Sequence, residues 1–328
     1  MVRFVAYILW ILVYPFSLLP LGVHYFFSDI LAWTLQNVFG YRKSTIYTNL
    51  ARSFPELKYK ELDSLAKEYY RYMCDIAAES IWQISAGCKS ILKVVGTGNT
   101  ELMDSLIKKH SRIIVMLGHR GNWEMIGAMC GLRKESTPDN FSYYPIFFGY
   151  KVAKSAVANA FVSRLRRGAY RKFNNPGDIV ASKSILHNMS NSREERCTYV
   201  FIADQSPTKA RVVTKFLNQP TLMFKGAEFI ARKENVPVVY MDMARLKRGR
   251  YELSYTLITE HPAECARGEI TRRYAELLEE HINGNRHNWL WSHKRWKRDF
   301  TQKEVEEYRR LYGADGSLHA LEYDGKEA

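Results

Sequence analysis

No two of the five cysteines, Cys74, Cys88, Cys130, Cys197 and Cys265, stand in a CxxC spacing, and their number is odd. A zinc knuckle and a disulfide framework are both excluded, and reduced thiols in a cytosolic body are expected. On that reading the sequons at Asn140 and Asn188 carry no weight. No Walker sequence occurs. The nearest approach to a dinucleotide fingerprint, Gly96-Thr97-Gly98 before Asn99, has Glu101 where the third glycine should stand, so that reading fails too. There is no internal repeat and no low-complexity tract. Acid is also scarce: 34 Asp and Glu face 48 Lys and Arg, a net charge of +14. Such a balance favours an anionic partner, whether nucleic acid, acidic lipid headgroups or an acidic carrier protein.

Charge of either sign is missing altogether from Phe4–Phe27, 24 residues in which His24 is the one titratable side chain apart from tyrosines. A membrane crossing needs about 20 apolar residues, so a membrane-anchor helix is expected here. Tyr7, Trp10, Tyr14 and Tyr25 supply interfacial aromatics. Pro15 and Pro20 would kink it and keep a buried or interfacial hairpin open as the other reading. The stretch lacks the small-residue cleavage site of a removed signal peptide. Arg42, Lys43 and Arg52 lie beyond it against Arg3 before it, which favours a cytoplasmic body.

The remaining chain, with 46% hydrophobic residues, is globular in composition. Tyr41–Gly87 reads as two helices broken at Phe54-Pro55, the second amphipathic through Leu62, Leu65, Tyr69, Tyr72, Met73 and Ile76. Val94–Asn99 reads as a turn after a strand. Strands are expected at Ile113–Leu117, Tyr144–Phe148, Thr198–Ala203, Val236–Met243 and Tyr251–Thr259. Helices are expected at Ala153–Arg167, Ile179–Asn188, Lys225–Lys233 and Glu269–Ile282. Lys215-Phe216-Leu217 leads into a turn at Asn218-Gln219-Pro220, and Lys247–Arg250 is a basic loop. Alternating strands and helices predict an α/β fold: a central mixed, mostly parallel sheet flanked by helices, with the N-terminal hydrophobic anchor helix. The expected division is 1–40 as anchor and connector, 41–300 as catalytic domain, and 301–328 as a polar, peripheral C-terminal tail.

The chemistry concentrates at Arg112–Glu124, RIIVMLGHRGNWE. A short apolar run ends at Gly118, His119 sits on the turn, Gly121 and Asn122 suit turn or cap geometry, and Trp123-Glu124 opens the next helix. Open α/β sheets place their chemistry at such carboxyl strand ends. On one continuous helix His119 and Glu124 would be rotated about 140° apart, which argues against a helical zinc site. With the turn between them they can converge. A carboxylate on one imidazole nitrogen would fix the tautomer, leaving the other to take a proton from a hydroxyl. The bland readings are a helix-dipole carboxylate and an ordinary turn histidine. No Ser or Cys adjoins the pair, so direct attack by an acceptor hydroxyl on an activated acyl group is the natural chemistry. Asp204, directly after an apolar strand, faces the same sheet edge as His119 if the strands are parallel.

Taken together, the anchor, Asn49–Pro55 (NLARSFP), Gly118–Glu124 (GHRGNWE), Ala203-Asp204-Gln205, Phe216–Thr221 (FLNQPT), and Trp289-Leu290-Trp291 with His293, Arg295, Trp296 and Lys297 resemble the lipid A biosynthesis lauroyl/myristoyl acyltransferases. These lie within the broader HxxxxD/E acyltransferases, and the resemblance covers about residues 1–298. It implies an inner-membrane enzyme, its catalytic body cytoplasmic, that needs no cofactor or metal. Such an enzyme moves a fatty acyl chain from acyl-acyl carrier protein or coenzyme A to a hydroxyl of an anionic lipid A precursor, with no nucleic-acid partner. By the same resemblance His119 matches the catalytic histidine, Glu124 its partner acid, and Asp204 the acid of the second block. Arg164 matches the basic residue after the second strand, with Arg166 and Arg167 as competitors. The Gly121-Asn122 turn or a nearby arginine such as Arg120 would serve the oxyanion or substrate. The sequence departs from the family pattern at Pro207, Thr208 and Lys209 and in the spacing of Asp178–Cys197. Trp289, Trp291 and Trp296 either pack internally or sit at the lipid interface. Two other functions stay open: acyl transfer to a lysophospholipid or aminolipid, and an inert membrane-binding protein.

Overall fold

The computed structural model describes residues 1–98, 100–132, 140–191, 195–207 and 211–313. In chain order the elements begin with α1 (Val2–Ser17), α2 (Leu21–Asn37), α3 (Lys43–Ser53), α4 (Tyr59–Trp82) and α5 (Cys88–Val94). Then come β1 (Val95–Thr97), α6 (Glu101–His110), β2 (Arg112–Leu117), β3 (Ile146–Tyr150), α7 (Ala156–Phe173), β4 (Ile179–Ala181), α8 (Ile185–Asn191) and β5 (Cys197–Ile202). The chain continues through β6 (Arg211–Phe216), β7 (Gln219–Phe224), α9 (Gly226–Glu234), β8 (Val238–Lys247), β9 (Arg250–Thr259), α10 (Glu269–Gly284) and α11 (Gln302–Tyr312).

Among the described residues seven strands form one sheet in the order β1-β9-β8-β2-β5-β3-β4, parallel throughout except for the β8–β9 hairpin. β2 lies at its centre and is buried on both faces, as a near-continuous apolar run requires. Its side chains alternate between two cores. Ile114 and Met116 join the core beneath α3, α4, α9 and α10, whereas Ile113, Val115 and Leu117 join the core beneath α5, α6 and α7. A separate antiparallel hairpin, β6–β7, turns through Leu217 and Asn218, both in left-handed conformation.

The expected single anchor helix is instead a bent pair. Pro15 lies in the last turn of α1 and Pro20 caps α2, and the two helices meet at 111°. Neither helix alone is long and apolar enough to cross a membrane. The 16 residues of α1 reach about 24 Å, short of the roughly 30 Å hydrocarbon layer. Both expose large apolar side chains, among them Ile11, Leu12, Phe27 and Trp33. Their inner faces are fixed to the body, α1 against α7 and α2 against α4.

Four further expectations change. Ile179–Asn188 is a strand and a short helix, not one helix, because β4 extends the sheet beside β3. The helix after β3 runs on to Phe173, where Asn174 in left-handed conformation ends it. Residues 95–97, read as a turn, form the edge strand β1; Asn99 lies outside the described residues. The C-terminal segment is not wholly peripheral: a capping box at Thr301–Glu304 starts α11, which buries Tyr308 against Val213 and Leu222 of the hairpin. Residues 314–328, like Thr208 and Lys209, lie outside the described residues.

Candidate active site

Because β2 and β5 are parallel, with Leu117 opposite Ile202, the residues that follow them emerge at one sheet edge. These are Gly118-His119 and Ala203-Asp204-Gln205. Asp204 Oδ1 lies 2.5 Å from His119 Nδ1, and its Oδ2 accepts from the His119 backbone N–H at 2.7 Å and the Trp289 indole N–H at 2.8 Å. Burial alone would raise this carboxyl, but the imidazole charge and these hydrogen bonds outweigh it and hold Asp204 at about 2. An ionised Asp204 fixes the ring proton on Nδ1 and leaves Nε2 as the basic nitrogen. Gln205 Nε2 lies 3.2 Å from that atom, and the Trp123 ring meets the imidazole edge-on at 5.2 Å.

The carboxylate on the imidazole is therefore Asp204, not Glu124. Glu124 accepts a bidentate pair from Arg166, Nη2 to Oε1 at 2.6 Å and Nε to Oε2 at 3.0 Å. The reason is local. Asn122 caps the segment, its side-chain oxygen accepting from the Glu124 N–H at 3.2 Å, and Trp123–Gly131 winds as a 3-10 helix that carries Glu124 toward α7. Two residues along α7 is about 200° of rotation, so Arg164 faces the other way. It stacks over the rings of Trp10 and Tyr7 at 4.6 and 5.2 Å, away from His119, and Arg167 pairs with Asp178 at 2.7 Å.

Two further candidates are occupied. Arg120 is buried and ion-paired to Asp242. Asn122, fully buried, donates to Glu79 Oε2 at 2.6 Å. Both shape the turn from behind. Gly121 has φ +61°, and a Cβ there would strike the Met243 carbonyl. Its N–H donates to Asn288 Oδ1 at 3.1 Å, and its carbonyl accepts from Tyr72 at 2.6 Å.

Sequence blocks far apart in the chain meet around this turn. Asn49 donates to the carbonyls of Trp291 and His293 at 2.8 and 2.9 Å. Asn218 donates to the Ser53 carbonyl at 2.9 Å, and Trp296 to Thr221 at 2.8 Å. Trp289 and Trp291 are buried, so of the two readings open for them internal packing is the one observed. His293 accepts from the Ser206 N–H at 3.3 Å; burial chiefly holds it down at about 4. Trp289, Gln205 and Glu79 had no assigned role in the sequence; the indole was visible only as part of a packing motif. Beside Glu124 and Arg166 lies an apolar cavity of about 40 Å³, lined among others by Ile126, Phe148, Leu165 and Val200. It has room for water, not for a fatty chain.

Among the described residues no cluster of His, Cys, Asp and Glu is fit to hold a metal ion. An α/β sheet with an acid-steadied imidazole at its carboxyl edge, to which no Ser or Cys among the described residues is hydrogen-bonded, is an arrangement suited to direct group transfer to a hydroxyl. The sequence model of the bacterial lipid A biosynthesis acyltransferases matches residues 1–298. The chain belongs to that family and is an acyltransferase. No curated protein matches it.

Proposed function

We propose that this acyltransferase moves a fatty acyl chain from a thioester, on acyl carrier protein or coenzyme A, to a hydroxyl of a lipid A precursor. The site of action would be the inner membrane, with the catalytic body on the cytoplasmic side. The 2.5 Å contact of His119 Nδ1 with Asp204 carries the reading. With Nδ1 occupied, His119 Nε2 takes the proton of the acceptor hydroxyl. The oxygen attacks the thioester carbonyl, the C–S bond breaks, and the imidazolium returns its proton to the departing thiolate. Asp204 stabilises the imidazolium in between. Gln205, beside Nε2, yields its place to the acceptor hydroxyl. The net positive charge suits a phosphorylated acceptor and an acidic carrier.

The test is incubation of the purified protein with acyl-carrier and coenzyme A donors of graded length and with candidate acceptors, read by product mass. Acylated lipid A precursor from wild type, and none from His119→Ala of unchanged thermal midpoint, is the expected result. Full activity in His119→Ala sinks the mechanism. Product only with a lysophospholipid or aminolipid replaces the acceptor.

A further inference from the structure

A cleft of about 1170 Å³ lies away from His119, between α1 and α7. None of His119, Asp204, Gln205 or Glu124 lines it. Arg3, Arg164, Arg167 and Arg171 do, together with Asn159 and Asn174. Arg164, Arg167 and Arg171 are three and four residues apart and so share one face of α7. The one carboxylate among the described residues lining the cleft, Asp178, is already bound by Arg167 at 2.7 and 3.2 Å. Arg3, Arg164 and Arg171 have no acidic partner among the described residues.

Guanidiniums gathered without counter-charge repel one another, so the arrangement favours a bound anion. Phe4 and Tyr7 of α1 form the opposite wall, and both are exposed. The same helix presents Ile8, Ile11 and Leu12 outward. Positive charge thus passes directly into apolar surface, as the boundary between headgroups and acyl chains does. Arg164 lies over the rings of Tyr7 and Trp10 while still lining the cleft, which fixes its charge there.

We infer that the cleft between α1 and α7 binds the phosphate of a membrane lipid, with Arg3, Arg164 and Arg171 neutralising it and the outer face of α1 lying along its acyl chains. The inference rests on the inner-membrane site of action proposed above and not on the His119 chemistry. The phosphate has two sources: bulk anionic phospholipid, or a phosphorylated glucosamine lipid of the acceptor class.

The test is flotation of the full chain with three kinds of vesicle. One is phosphatidylcholine alone, one contains equal parts of phosphatidylglycerol, and one carries a diphosphorylated glucosamine disaccharide lipid. The variants are R164Q/R171Q and, where that pair lowers the thermal midpoint, R3Q/R171Q. The control K60Q/K233Q removes the same charge from exposed residues elsewhere. Each cleft arginine removed should weaken binding to phosphate-bearing vesicles roughly fivefold, as expected of a basic residue at an anionic surface. The control should change less, and His119→Ala not at all. Loss with both anionic vesicles identifies a general lipid-phosphate site, and loss with the disaccharide lipid alone an acceptor site. Equal loss in cleft and control variants, or no loss in the cleft variants, overturns the inference. Because His119→Ala is read in the same assay, failure here is separable from failure of the acyl-transfer mechanism.

Discussion

Asp204 holds His119 twice: through its ring, Nδ1 to Oδ1 at 2.5 Å, and through its backbone N–H, to Oδ2 at 2.7 Å. One buried carboxylate thus fixes both the tautomer and the seat of the residue on its turn. In Asp204→Asn the side chain keeps its volume, but the amide carries no charge to stabilise an imidazolium and offers one acceptor to three donors. Acyl transfer should fall about 10²–10⁴-fold with the fold retained. Product formation within about tenfold of wild type would show that the imidazole does not depend on this acid.

The Glu124–Arg166 pair makes a separate prediction. Its side chains are 18% and 30% exposed, so each single removal strands a largely buried charge. Glu124→Gln and Arg166→Gln should each cost about 1–3 kcal/mol of stability, and the double variant clearly less than their sum. Denaturant unfolding of the three variants closes the cycle. Strict additivity would mean that the two groups do not act as a unit.

Glu79 ties the N-terminal helices to the turn that carries His119. This fully buried carboxylate accepts from Tyr25 of α2 at 2.7 Å, from Asn122 at 2.6 Å and from Tyr251 of β9 at 2.8 Å. Burial pushes its carboxyl up, and the three donors offset part of that rise. Glu79→Ala would orphan all three donors and leave a cavity, so a loss of at least about 3 kcal/mol is expected. Tyr251→Phe, which removes one donor, should cost about 1 kcal/mol. Similar midpoints for these two variants would deny Glu79 its role as a hub.

The elements that position the site were legible because their cause is local. Ile113–Leu117 reads as a strand buried on both faces, and the acid after the apolar run Thr198–Ala203 was foreseeable at the same sheet edge as His119. The partner of the imidazole was not legible from the five-residue spacing. That spacing assumes the helix following Asn122 keeps Glu124 near the turn, whereas a 3-10 winding and the fork of Arg166 carry it away. Which α7 arginine faces Glu124 depends on the rotation of that helix, and the packing of α1 on its other side sets it. The bend after Pro15 was marked by the two prolines. The helix at Gln302–Tyr312 was concealed by its polarity, since it buries little besides Tyr308.

His293 gives a pH dependence with a definite sign. Burial, aided by the Arg295, His119 and Lys297 charges and opposed by Asp204, holds it near 4 against an ordinary 6.5. Its Nε2 accepts the Ser206 N–H, which requires the neutral ring. Between about pH 4 and 6.5 the unfolded chain therefore binds a proton that the folded chain refuses. Stability is at its full value above 6.5, declines as pH falls through that window, and levels off below the folded value. The shift corresponds to at most about 3 kcal/mol. Burial pushes His287 the same way, so it contributes to the same slope. In His293→Gln the amide oxygen can still accept from Ser206 but binds no proton, so unfolding free energies measured across the window should vary less steeply than in wild type. An unchanged slope would place the acid sensitivity elsewhere.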